Sequence, residues 1–116
     1  MKNGFYDMVL ENIGEAVYVL DGKGNFIYVT SAYVKLMNIP KDRILKSNVH
    51  DLLDIGMIDV CISDIVYRQK HRIAIFQDLI FDNGVKNRLL VISQPIFNQD
   101  GEIINIVATV KTLDSI

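Results

Sequence analysis

A single cysteine, Cys61, occurs in the whole chain. It excludes an internal disulfide and leaves no second thiol for a four-ligand zinc site. A reducing, cytoplasmic setting is therefore expected. No apolar run approaches the roughly 20 residues needed to cross a bilayer. The N-terminal stretch MKNGFYDMVLENIG interrupts its apolar residues with acids, where a signal peptide needs an unbroken apolar core. Neither membrane insertion nor secretion is expected of this segment. A dominant charge is lacking too: twelve Lys and Arg face fourteen Asp and Glu, for a net charge of −2. No window gathers enough basic residues to neutralise several phosphates, so direct nucleic-acid binding is not expected. There is no internal repeat, low-complexity tract or linker.

What is present is apolar: half of the 116 residues are hydrophobic, enough to build one core without disulfides or metal. Residues 1–116 read as one domain. Phe5, Met8, Val9 and Ile13 recur at helical spacing and predict an amphipathic helix ending near Gly14. Two apolar runs, Glu15 to Leu20 and Phe26 to Thr30, flank the polar Asp21-Gly22-Lys23-Gly24-Asn25 and predict a β-hairpin. Ser31, read as an N-cap, opens a brief helix to Asn38, and Pro40 suits the first turn of another over Lys41 to Leu45. Val49 to Leu53 suits one more helical turn. Ile58, Cys61, Ile62 and Ile65 mark the stripe of a longer helix ending near Gln69.

After that the period changes from helical to alternating. Residues 72–81, 86–97 and 102–112 read as three strands joined by the turns Asp82-Asn83-Gly84 and Asn98 to Gly101. The order is helix, two strands, several short helices, three strands: an α+β arrangement on one antiparallel sheet. In the last strand Ile104, Ile106, Ala108 and Val110 share the side expected to face the core. The first strand is apolar on both sides, so its outer face needs cover as well. The N-terminal helix, a second copy of the chain, or both would supply it, which makes Phe5, Met8, Val9, Val17 and Val19 the candidate residues for dimer formation and signal relay.

Four segments then acquire a common meaning: Tyr18-Val-Leu-Asp-Gly-Lys-Gly-Asn-Phe-Ile-Tyr-Val29, Ala32 through Leu36, Ile44-Leu-Lys-Ser-Asn-Val49, and Gln94-Pro-Ile-Phe-Asn-Gln-Asp-Gly-Glu102. In this order they resemble the PAS family over essentially the whole chain. The resemblance implies a five-stranded antiparallel sheet of order 2-1-5-4-3, with short helices on one face and an N-terminal helix. Gly22 or Gly24, and Gly101, fall where tight turns call for positive φ. The chain departs from the family at Thr30, where Asn is usual, at Lys46, where Gly is usual, and at Thr112-Leu113-Asp114, where Asp-Ile-Thr is usual. The stretch from Val66 through Gln77, Pro95-Ile96-Phe97 and the strand around Val107 resemble the sensor domains of sigma-54-dependent bacterial activators. That likeness implies an ATPase module and a DNA-binding helix-turn-helix outside this segment, and the ending Leu113-Asp-Ser-Ile116 reads as a cut from a longer regulator.

The resemblance further implies a small-ligand pocket between the inner sheet face and the helices, with Tyr18, Leu20, Tyr28, Ile62, Ile65, Leu79, Val91 and Val110 as candidate lining. Gln77 and Ser93 are polar at strand positions that point inward, where a buried group without a partner costs roughly 1–3 kcal/mol. The cofactor remains unknown. A covalent flavin adduct is not expected, because Ser47-Asn48 is followed by Val49 where the light-oxygen-voltage branch has cysteine. Haem is not expected either, as its axial histidine would have to be His50 or His71. Asp51, Asp54, Asp59 and Asp64 read as a solvated acidic face, not metal ligands, and no catalytic set assembles. The expected role is a sensor relaying a ligand-driven or conformational change to an attached output domain. A ligand-free dimerisation module, for example within a sensor histidine kinase, is the alternative.

Overall fold

The structure, a computed structural model, describes residues 4–113; Asp114, in the C-terminal motif, and Ile116 lie outside them. The elements in chain order are α1 (Gly4–Ile13), β1 (Ala16–Asp21), β2 (Phe26–Val29), α2 (Ser31–Met37), α3 (Lys41–Ile44), α4 (Val49–Asp54), α5 (Ile62–Gln69), β3 (Ile73–Ile80), β4 (Lys86–Phe97) and β5 (Ile103–Thr112). The five strands form one antiparallel sheet in the order β2-β1-β5-β4-β3, as the family resemblance implied. None of the described helices is long and apolar enough to cross a membrane.

The β1–β2 turn is built by Asp21, whose carboxylate accepts from the backbone N–H of Lys23 (2.8 Å) and Asn25 (3.0 Å) and from Asn25 Nδ2 (3.0 Å). Gly24 closes this turn at φ +88°, a conformation that disfavours any side chain. One consequence of the hairpin was hidden in the sequence. The register shifts between Val19 and Leu20, so that Leu20 pairs with Phe26 but Val19 pairs with Tyr28. This bulge sends Phe26 into the core and turns Tyr28 to the outer face, against the simple alternation.

A second register shift, at Ile96/Phe97, pairs Asn105 with Ile96 and Ile103 with Phe97, leaving Ile104 as the extra residue. Ile104 is 44% exposed, although its parity placed it with the core residues Ile106, Ala108 and Val110. The cap of α2 also differs from expectation: it is Thr30, not Ser31. Thr30 Oγ1 accepts from Val17 N (3.0 Å) and Tyr33 N (3.4 Å) and donates to Glu15 O (2.9 Å), tying the start of β1 to the start of α2. The helix expected from Ile58 begins only at Ile62. Ile58 instead bridges to Leu79, and Cys61 occupies the residue before the first turn.

The core lies between the inner sheet face and helices α2 and α5. Leu20, Val29, Ile62, Val66, Leu79, Val91, Ile106 and Ala108 have no exposed surface, and full burial of a Val, Leu or Ile side chain contributes about 1.5–3 kcal/mol. On the opposite side, α1 meets the sheet through half-buried Asp7 and Leu10. Glu11 Oε1 accepts from Ser31 N at 2.9 Å. The apolar stripe of α1 does not pack on the sheet: Phe5, Met8, Val9 and Ile13 are all exposed. Beside the pairing of Ala16 with Val110, Lys111 Nζ donates to Glu15 Oε1 at 3.0 Å.

Candidate functional site

The inner sheet face presents Tyr18 and Leu20 from β1, Gln77 and Leu79 from β3, Val91 and Ser93 from β4 and Val110 from β5, all buried. The helices close over it with Ile62 and Val66 of α5 and Tyr33 and Met37 of α2. Two residues expected here are placed otherwise. Ile65 is only half-buried, because α5 starts late and turns Ile62, Ser63 and Val66 inward. Tyr28 lies outside the enclosure for the reason given by the β1–β2 bulge. Phe26 and Tyr33 fill the position instead. The spacing of Tyr33 and Met37, one helical turn apart, was the available signal for Tyr33, and the parity that Phe26 shares with Tyr28 was the available signal for Phe26.

Three rings pack together at the centre. Tyr18 lies 5.4 Å from Phe26 and 5.1 Å from Tyr33 between centroids, and Phe26 lies 6.2 Å from Tyr33. Burial pushes the Tyr18 and Tyr33 phenols well above the ordinary tyrosine range, and a negative Cys61 would raise Tyr18 further. Both phenols stay neutral and serve as packing and hydrogen-bonding groups.

Gln77 and Ser93 do point inward, with different outcomes. Gln77 Nε2 donates to the Val60 carbonyl at 2.8 Å, so its amide fastens β3 to the segment before α5. Ser93 has no exposed surface, and its Oγ has no hydrogen-bond partner among the described residues. The Tyr18 phenol is close enough for a hydroxyl at Ser93 to ease its ionisation, but the approach falls outside hydrogen-bonding geometry. The enclosure thus contains one hydroxyl whose donor and acceptor capacity is unspent.

Two grooves lie elsewhere. One of about 720 Å³ runs between Ile39 and Arg43 on one side and Met57, Phe81 and Asn83 on the other. The second, about 930 Å³, separates α1 from the outer sheet face and is lined by Asp7, Leu10, Val19, Tyr28 and Val107 among others. Asp7 Oδ1 and the Tyr28 hydroxyl are buried there without hydrogen-bond partners among the described residues. Burial, then the Asp7 and Glu11 carboxylates, push the Tyr28 phenol up. Neither groove is lined by Tyr18, Gln77 or Ser93. Of the relay candidates, Val17 is buried and Val19 half-buried, while Phe5, Met8 and Val9 stay exposed on α1.

Three of the four acids read as one solvated face have separate tasks. Asp51 accepts from Asn48 N at 2.9 Å in the capping box of α4. Asp59 accepts from Asp78 N at 2.9 Å, and Asp64 sits 2.7 Å from His50 Nε2. His71 is exposed just beyond α5.

A family model described as the PAS fold matches residues 4–113. Among solved structures, the chain is similar to a PAS domain from a two-component sensor histidine kinase, with 19% identity, a TM-score of 0.73 and 94% of each chain covered. It is also similar to the PAS domain of nitrogen regulation protein NR(II) from Vibrio parahaemolyticus, with 18% identity, a TM-score of 0.71 and coverage of 93% of this chain and 97% of that one. VqmA bound to DPO is similar at 11% identity and a TM-score of 0.70, over 97% of this chain and 58% of that chain. No curated protein matches the sequence significantly.

Proposed function

The chain belongs to the PAS family of sensory domains, and from that membership we propose that it binds a small ligand against the inner sheet face and relays the change to an attached output domain. The observation that carries this reading is the Ser93 hydroxyl, fully buried and without a partner beside the Tyr18 ring. A native interior rarely leaves such a group unsatisfied. A ligand with one polar atom and an apolar body would satisfy it, with the Tyr18, Phe26 and Tyr33 rings as the part that gives way. Similarity to VqmA bound to DPO supports the reading at the level of the fold. A ligand shifts the domain between two states only by as much as it prefers one of them. The relay runs through Thr30, which joins β1 to α2, and through Glu11 and Ser31 to α1. The output is a sigma-54-type ATPase with its DNA-binding module, or a kinase, acting in the cytoplasm.

Native mass spectrometry of the whole chain, purified without denaturation from its host, tests this. A retained mass increment that disappears in Ser93→Val is the expected result. An unadorned mass in both proteins overturns it.

A second reading, a dimerisation module, is favoured by one observation of its own: Phe5, Met8, Val9 and Ile13 form an exposed apolar stripe along α1. Sedimentation of the wild-type chain should show a dimer, and Met8→Asp should raise its dissociation constant tenfold or more. A monomeric wild type at micromolar concentration refutes it.

A further inference from the structure

Where α4 meets the start of α5, three donors converge. A ring nitrogen of His50, Cys61 Sγ and an Asp64 carboxylate oxygen all lie within 4.8 Å of one another. Cys61 precedes α5 and Asp64 is its third residue, a spacing that sets both on one side of the first turn. His50 is the second residue of α4, held by the capping box around Asn48.

The hydrogen-bond chain behind His50 fixes where its proton sits. The Asp21 carboxylate only accepts, so Asn25 Nδ2 donates to it at 3.0 Å and Asn25 Oδ1 is left as an acceptor. Asn48 Nδ2 therefore donates to Asn25 Oδ1 and to the Lys23 carbonyl, both at 2.9 Å. Asn48 Oδ1 is then the acceptor facing His50 Nδ1 at 3.1 Å, which places the proton on Nδ1. A neutral ring in that tautomer turns the Nε2 lone pair toward Asp64 Oδ1, 2.7 Å away. Two lone pairs do not face each other at that distance without a cation between them. A proton is one such cation. The nearby thiol, a soft donor, selects another kind.

We propose that His50 Nε2, Cys61 Sγ and the Asp64 carboxylate bind a divalent d-block cation of the zinc type, with water as the fourth ligand. Bond lengths of about 2.0 Å to nitrogen and oxygen and about 2.3 Å to sulfur place tetrahedral ligand atoms roughly 3.3–3.8 Å apart, within reach of small side-chain rotations here. Binding displaces the thiol proton to solvent, together with any proton shared by His50 and Asp64. Asn48 on the far ring nitrogen is the outer partner that a ligating histidine needs. His50 and Asp64 each keep 45% of their side-chain surface exposed, which leaves the ion a path from solvent. The positive N-terminus of α5 opposes a cation, and the two anionic ligands offset it. The ion would tie α4 to α5 beside the Tyr18 ring. The site stands whether or not the inner face takes a ligand.

The test is a Co²⁺ titration of the full chain in a thiol-free reductant, read by the thiolate-to-cobalt charge-transfer band and then by displacement with Zn²⁺. The expected result is one ion per chain and a charge-transfer band lost in Cys61→Ser. Affinity should fall at least tenfold in His50→Gln and in Asp64→Asn, and stay unchanged in His71→Gln. Absence of the band in the wild type overturns the site and leaves a proton-bridged pair. So does binding that survives both His50→Gln and Asp64→Asn, or that His71→Gln abolishes. Those half-exposed positions also decide the matter if Cys61→Ser does not fold.

Discussion

Replacing Ser93 with alanine should stabilise the ligand-free chain, against the usual direction for a fully buried position. The hydroxyl lacks a partner in the folded state and is hydrated in the unfolded one, a difference of about 1–3 kcal/mol. Deleting one oxygen leaves a void on the order of 10 Å³, which costs about 0.2 kcal/mol at ~24 cal/mol per Å³. The balance is a gain of about 1–3 kcal/mol, and for a domain of this size a rise in Tm of about 4–12 °C. Urea unfolding of the wild type, Ser93→Ala, Tyr18→Phe and the double variant measures both the gain and any coupling to the phenol. Coupling near zero is expected. A loss of 1 kcal/mol or more, coupled to Tyr18→Phe, would show that Ser93 already has its partner and would refute the reasoning behind the ligand site.

Alkali should destabilise the fold. Tyr18 and Tyr33 hold their protons above the ordinary phenol value of 10.0 when folded, so the unfolded chain ionises first and stability falls as pH rises through that value. Each phenol contributes a slope of about 1.4 kcal/mol per pH unit. Denaturant titrations at several alkaline pH values should show the slope reduced by up to about 1.4 kcal/mol per pH unit in Tyr33→Phe, and an unchanged slope would contradict the burial argument. Gly24→Ala puts a Cβ 3.3 Å from Asn48 Oδ1 and Val49 Cγ1 at φ +88°, and should lose about 1–3 kcal/mol in the same assay. A loss under about 0.5 kcal/mol would mean the turn adapts freely.

The sheet was legible where turn residues punctuate alternating runs, as at Asp21 to Asn25 and Asp82 to Gly84, and its strand order came from the family likeness. Alternation also identified Gln77 and Ser93 as inward polar residues. It failed where a bulge adds one residue: Tyr28 and Ile104 both have the parity of core neighbours and both leave the core. Bulges depend on pairing partners far away in the chain, so a local pattern does not carry them. Thr30 was noted as a departure from the family, but its bonds to β1 became visible only once Val17 and Tyr33 were in place. The cluster of His50, Cys61 and Asp64 was hidden for a related reason. Its members belong to two short helices whose packing sets their separation, and Asp64 looked like one more surface acid among four.

The adjacency of β1 and β5, with Glu15 salt-bridged to Lys111, has a mechanical corollary. The start of β1 and the end of β5 meet at a single corner, with α1 before the one and Leu113 after the other. Any twist between those two middle strands would rotate the flanking segments against each other over a short lever. The Glu15–Lys111 ion pair, typically about 0–1 kcal/mol when partly exposed, adds little to the backbone pairing of β1 with β5 that such a twist works against.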